Sequence, residues 1–174
     1  MRIVSESRRH LDAIDALHRA AFGGGYEAAL VRALRRDGLV RASLVALDGD
    51  DVVGHALFSE LAVEMDGRPL RAAALAPIAV RPERQRQGIG SHLIVRGLQR
   101  LRAKGFEAVV VLGHSAYYPR FGFSASLAAK LSAPFRGEHF MALELAAGAL
   151  AGARGAAVYP QAFGLDAGSE REGR

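Results

Sequence analysis

The chain has 174 residues, of which 50% are apolar and 24% charged, with a formal net charge of +5 and no cysteine. That length and balance describe a folded globular chain with a core of ordinary size; disulfides, thiol catalysis and cysteine-bound zinc are excluded, and with no apolar leader after Met1 and no run of about 18 apolar residues, neither a signal peptide nor a membrane span is expected and a cytoplasmic location is the default. The positive surplus is scattered arginine, with lysine only at 104 and 130 and no basic run longer than two residues, so it suits an anionic small molecule as well as a duplex, and no nucleic-acid partner is expected.

Arg2–Ser5 predicts a short strand. From His10 to Phe22, the residues Leu11, Ile14, Leu17, Ala21 and Phe22 recur at helical spacing, and Gly23-Gly24-Gly25 ends the helix. Tyr26–Arg36 predicts a second helix with Leu30, Val31 and Leu34 inward, stopped at Asp37-Gly38. Ser43–Leu47 and Val52–Ser59 predict two strands joined around Asp48-Gly49, a hairpin signal. Leu61–Met65 extends the second of them, and Asp66-Gly67 turns the chain again. Leu70–Val80 is nearly all apolar, as suits a central strand buried on both faces. Gly88–Lys104 predicts a helix with Leu93, Ile94, Leu98 and Leu101 on one stripe, closed by Gly105. Ala108–Leu112 predicts a short buried strand, and Tyr117–Phe121 a helical turn closed by Gly122. Phe123–Leu131 is ambiguous, and His139–Leu145 alternates as a final strand. Residues 146–163, rich in alanine and glycine, read as irregular, and 164–174 as a mobile polar tail.

This order implies an α/β fold: a mixed, mostly antiparallel central sheet flanked by helices, with a parallel pair only where the long helix crosses over. No repeat or internal boundary is visible, so residues 1–163 are expected to form one domain.

The most informative stretch joins the long strand to the long helix: Gln85-Arg86-Gln87-Gly88-Ile89-Gly90, continuing to Ser91. A helix N-terminus offers unpaired N–H groups and a partial positive charge, a ready seat for phosphate. Glycines at 88 and 90 let a ligand approach the backbone, and Arg84 and Arg86 add positive field. A dinucleotide-binding turn needs a third glycine and an early strand, and the lysine-bearing phosphate loop is absent. Gly23-Gly24-Gly25 follows a helix and reads as a flexible helix terminus. No i, i+4 pairing of histidine with carboxylate suggests a metal site, and Gly113-His114-Ser115 lacks the nucleophile elbow of a hydrolase.

The element order, together with Val80-Arg-Pro-Glu-Arg-Gln-Arg-Gln-Gly-Ile-Gly90 and Tyr118-Pro-Arg-Phe-Gly-Phe123, resembles the GNAT superfamily of acyl-CoA-dependent N-acetyltransferases over roughly residues 1–145. Three further stretches, Val53–Ser59, Leu112–Phe123 and Pro134–Leu143, look like its YhbS-type branch. The resemblance implies acetyl-CoA as co-substrate, bound where two parallel strands splay. It assigns the pantetheine arm to the backbone of Ile78, Ala79 and Val80, and the pyrophosphate to Arg86, Gln87, Gly88, Ile89, Gly90 and Ser91. It also implies that Tyr118 is the general acid for the departing thiolate. Family members are often dimers, so a homodimer is an open expectation.

The reaction so implied is attack of an amine on the thioester, which needs positioning, a proton acceptor and a proton donor. Glu60, Glu64, His55, His114, Glu138 and His139 are candidates for the base, with Glu60 carried forward and water as the alternative. The acceptor, a small molecule or peptide amine, is not named by any motif. The competing reading is a protein that keeps the coenzyme grip but acts as an acyl-CoA-binding sensor or partner without turnover.

Overall fold

The computed structural model of the chain describes residues 1–165. Contacts gather the chain into two compact units, one of Met1–Ser59 with Ala76–Arg100, the other of Glu60–Leu75 with the residues from Leu101 on. The predicted tail, residues 164–174, lies outside the described residues apart from Gly164 and Leu165. Among the described residues no helix is long and apolar enough to cross a membrane.

The first unit takes β1 (Arg2–Ser5), α1 (Leu11–Phe22), α2 (Tyr26–Arg36), β2 (Val40–Asp48) and the opening of β3 (Asp51–Met65). It also holds the end of β4 (Arg68–Val80) and most of α3 (Ile89–Ala103). Its strand order is β1-β2-β3-β4, with β2 antiparallel to both β1 and β3. α1 buries Ile14, Leu17 and His18, and α2 buries Ala28, Leu30, Val31 and Leu34. Both stripes follow the 3.6-residue period that drives an amphipathic helix onto a sheet. Gly23 ends α1 in the left-handed conformation, at φ +72°, where glycine has no Cβ penalty.

Every residue of β3 from Val52 to Ser59 is buried, so both faces are covered, and the polar alternation of a one-sided strand is missing. On one face lies α3, and the packing there is unusually close. A Cβ on Gly97 would stand 2.1 Å from the Phe58 ring, and one on Gly54 would stand 2.9 Å from Ile89 and 3.0 Å from Leu93. Strand side chains alternate, so Gly54 and Phe58 belong to the α3 face while His55 and Ser59 belong to the other.

The second unit holds the rest of β3 and β4 with β5 (Ala108–Leu112), α4 (Ala125–Ala128), β6 (Leu131–Ser132), β7 (Phe140–Glu144) and β8 (Gly155–Val158). Ala72–Ala74 of β4 run parallel to Ala108–Val110 of β5, which pairs antiparallel with β7. The fold class is therefore the mixed, mostly antiparallel sheet with helices that the element order implies.

Two expectations are corrected. Residues 146–163 are not irregular throughout, because β8 pairs antiparallel with Ala62–Met65 of β3. The β4–β5 pairing is also not the sole parallel one, since Leu131 and Ser132 of β6 run parallel to Gly155 and Ala156. The sequence Gly-Ala-Ala-Val has little intrinsic preference for a strand. Tertiary contacts supply it: the Asp66 carboxylate accepts hydrogen bonds from Ala153 and Arg154 N–H at 3.1 Å each. Gly155 can also sit against Met65 and Leu131 only because it has no side chain. The ambiguous stretch Phe123–Leu131 resolves into the single turn of α4 and the start of β6.

The Gly97–Phe58 contact yields a prediction. Alanine is the better helix former by about 1 kcal/mol, but overpacking costs up to about 3 kcal/mol. Gly97→Ala is therefore expected to lower the melting temperature by roughly 4–8 °C in a thermal unfolding scan. Phe58→Leu in the same chain should recover part of the loss. A melting temperature unchanged by Gly97→Ala would show that the helix does not need this approach.

Candidate functional site

The end of β4 and the head of α3 are joined by a short 3-10 turn, Pro82–Arg84, and the residues Gln85–Gly88. Arg81 ties its start to β3, its N–H donating to the Val53 carbonyl at 2.9 Å and its guanidinium to the Val52 carbonyl at 3.0 Å. Gln85 Nε2 donates to the Val80 carbonyl at 3.2 Å, leaving that oxygen its second lone pair. Arg86 and Gly88 then have φ of +59° and +83°, while Gln85 before them is extended at φ −68°. Residues in this left-handed conformation turn the chain sharply just before the helix head. A non-glycine residue held at positive φ is a strain that clusters at ligand-binding turns.

The first bond tying α3 to this turn runs from His92 N–H to the Gly88 carbonyl at 3.0 Å, so the head of α3 lies at Gly88–Ser91, where a helix has N–H groups to offer. The two arginines differ. Arg84 is held by Asp48 at 2.7 Å and by Gln87 at 3.3 Å. Arg86 is exposed and has no ion-pair partner among the described residues. Ile78 and Val80 are half-buried and Ala79 is buried. All of these residues, Ile78 through Val80 and Arg86 through Ser91, belong to the first unit.

Tyr118 lies in the second unit, in a 3-10 turn (Tyr118–Phe121) closed by left-handed Gly122. It is 7% exposed. Its ring lies against Gly113, where a Cβ would come within 2.2 Å, and meets Tyr117 and Phe123 edge-on at 5.1 and 5.9 Å. Burial, helped by Tyr117, pushes its hydroxyl up to about 12, so the phenol keeps its proton at neutral pH. That hydroxyl has no hydrogen-bond partner among the described residues. Glu60 is half-buried on β3, whereas Glu64, His114 and Glu138 are exposed. His139 Nδ1 donates to the Gly113 carbonyl at 3.1 Å.

His55 is the base candidate whose surroundings sequence reasoning left open, and it sits in a polar chain built from α1, α2, β2, β3 and Glu6, the residue after β1, all in the first unit. Arg35 of α2 grips Glu6 with two hydrogen bonds, Nε at 2.7 Å and Nη2 at 2.9 Å. Ser43 of β2 donates its hydroxyl to the same carboxylate. His55 Nε2 lies 2.8 Å from Ser43 Oγ and 3.2 Å from Glu6 Oε2. His55 Nδ1 lies 2.8 Å from His18 Nε2 of α1. Burial would raise the Glu6 carboxyl, but hydrogen bonds from His55, Arg35 and Ser43 and the Arg35 charge prevail and hold it far below the usual carboxylate range. Burial, then the neighbouring His55 and Arg35, lowers His18 to about 3. Burial also lowers His55, although the Glu6 hydrogen bond and charge oppose it. Both imidazoles are therefore neutral at pH 7. Nothing in the spacing of residues 6, 18, 35, 43 and 55 announces this cluster, because the five stand far apart in the chain and meet only through the fold.

Comparison with known proteins adds the following. The profile of the acetyltransferase (GNAT) domain matches residues 3–126. The uncharacterized N-acetyltransferase YhbS of Escherichia coli K12 is 38% identical over 153 residues, covering 86% of this chain and 90% of that protein. The crystal structure of E. coli YhbS in complex with CoA superposes with a TM-score of 0.86 at 36% identity, covering 98% of this chain and 95% of that one. A GNAT family acetyltransferase from Brucella melitensis in complex with acetyl-CoA gives a TM-score of 0.77 at 32% identity, covering 93% of this chain and 97% of that one.

The buried histidines make stability depend on pH. An unfolded histidine binds a proton below about 6.5, whereas folded His18 does so only near 3. Between these values the unfolded state holds more protons, so stability falls as pH falls, at up to about 1.4 kcal/mol per pH unit for each histidine. Glu6 adds to the loss in more acidic solution, since its folded value is depressed below 4.5. Urea unfolding midpoints are expected to drop steadily from pH 6.5 to pH 4.5, and His18→Leu should shallow the slope. Equal midpoints across that range would contradict a neutral buried pair.

Proposed function

The chain belongs to the GNAT family of N-acetyltransferases, and on that footing we propose that it moves an acetyl group from acetyl-CoA to an amine by direct attack on the thioester. The observation that carries the reading is the turn from Gln85 to Ser91, whose left-handed Arg86 and Gly88 sit at the head of α3. Its donor set suits a diphosphate: backbone N–H groups, the positive end of a 15-residue helix and one arginine without an ion-pair partner. Ile78, Ala79 and Val80 are proposed to present backbone groups to the pantetheine amides, as an added strand would pair. The acetyl-CoA-bound Brucella relative and the CoA-bound E. coli relative support the choice of co-substrate. Residues 1–163 are proposed to act as one acetyltransferase domain, and the matched profile, residues 3–126, draws on both compact units.

Bound acetyl-CoA supplies an already activated acyl group, so orientation carries much of the rate. In the whole step a C–N bond forms and the C–S bond breaks; the amine gives up a proton and the thiolate takes one. Tyr118 is proposed as the donor to sulfur. Its raised pKa keeps it protonated, and its hydroxyl has no competing partner among the described residues. Glu60, half-buried on β3, is proposed to receive the amine proton, directly or through water.

Two experiments test this reading. Gly88→Ala puts a Cβ at φ +83°, a cost of about 1–2 kcal/mol, and is expected to weaken acetyl-CoA binding roughly 5- to 30-fold by calorimetry. Unchanged affinity would remove the turn from the binding site. Tyr118→Phe is expected to lower turnover about 100-fold in a thiol-release assay over a panel of amines while leaving acetyl-CoA affinity intact. Undiminished turnover would withdraw the acid role.

A further inference from the structure

The buried chain in the first unit has a fixed direction that can be worked out atom by atom. Glu6 is an ionised carboxylate and can only accept. Ser43 gives its hydroxyl proton to Glu6, so Ser43 Oγ turns a lone pair toward His55. Both neighbours of His55 Nε2 are therefore acceptors, and Nε2 must carry the hydrogen. A neutral imidazole with its proton on Nε2 has a bare Nδ1. That Nδ1 faces His18 Nε2 at 2.8 Å, so His18 Nε2 is the donor. The proton order leaves His18 Nδ1 as a bare lone pair. It is sealed from solvent in a residue that is 0% exposed, and it has no hydrogen-bond partner among the described residues.

A buried acceptor without a donor costs about 1–3 kcal/mol and calls for an explanation. A second orphan, Ser59 Oγ, lies on the same face of β3 as His55. The end of α1, one turn beyond His18, is exposed. Phe22, the last residue of α1, stacks its ring parallel to the imidazole at 6.0 Å and is itself 48% exposed. Gly23 and Gly24 follow, and a Cβ at either would meet no atom within 4 Å. Tyr26, 54% exposed, opens α2 on the other side of the glycines.

Resting on the acetyltransfer reading above, we propose that His18 Nδ1 binds the nitrogen of the acceptor amine, accepting its N–H, the exposed end of α1 from Phe22 to Gly24 shifting to admit it. His55 and Glu6 are positioning residues that fix the His18 tautomer. His18 stays neutral; it orients the amine so that the nitrogen lone pair is free for the thioester. The chemistry selects a primary amine on an apolar or aromatic stem. A bare lone pair attracts an N–H donor and repels a carboxylate, while the exposed Phe22 ring beside His18 suits an apolar body.

Long-range proton–nitrogen NMR on the full ¹⁵N-labelled chain tests this, with CoA present to prevent turnover and phenethylamine as the probe. Without amine, both His18 and His55 are expected to carry the proton on Nε2. Phenethylamine should shift the His18 Nδ1 resonance, and phenylacetate, the same ring on a carboxylate, should not. His18→Leu should weaken phenethylamine binding about 10-fold with acetyl-CoA affinity unchanged. His18→Gln, whose amide oxygen can accept, should recover most of it. A proton found on His18 Nδ1, an unmoved resonance at saturating amine, or equal loss in the Leu and Gln variants would overturn the proposal. Failure of acetyl-CoA to bind would instead overturn the acetyltransfer reading, and the amine titration can be read without it.

Discussion

The distance between β3 and α3 is the constraint on which the first unit depends. Two residues without side chains, Gly54 and Gly97, let the helix lie on the strand at backbone range, with Phe58 filling the space that a Cβ at 97 would claim. Gly54 touches Ile89 and Leu93, the opening residues of the helix, so it sets where the helix begins. An anchored helix head presents its free N–H groups at a fixed place. Here that place is set by a glycine more than thirty residues away in sequence, together with the Arg81 hydrogen bonds that pin the turn to Val52 and Val53.

The opposite face of the same strand follows another principle. There the core admits charge and satisfies it: one carboxylate takes hydrogen bonds from Arg35, Ser43 and His55. Such a network ties α1, α2, β2, β3 and the residue after β1 through directed contacts that apolar packing alone does not supply. Its last member, His18, has one nitrogen with no hydrogen-bond partner among the described residues. The two faces of β3 thus divide the labour between precise placement of a helix and an ordered array of protons.

Much of this was legible in the sequence, and for definite reasons. β1, α2 and β5 begin and end where pattern and punctuation put them. Their ends are marked by glycine or by the close of an apolar run, and such signals are local. The turn before α3 was legible as a turn because glycine punctuation is a local signal. β8 was not, because an alanine-glycine strand is made by what it pairs with. The roles of Gly54 and Gly97 were hidden for the same reason: a glycine that permits close approach looks the same as one that merely turns the chain. The Glu6–His55–His18 chain could not be read at all, because residues so far apart meet only through the fold.

The C-terminal strand also has a bearing on how the protein would tolerate being shortened. β8 occupies the backbone of Ala62–Met65, is bordered by only two residues of β6, and is anchored by the Asp66 carboxylate. A chain cut before Ala153 would leave that length of β3 with bare N–H and carbonyl groups along an apolar, β-rich border. Open borders of that kind recruit other strands, so the truncated protein would tend to self-associate edge to edge even with the turn and helix of the first unit untouched.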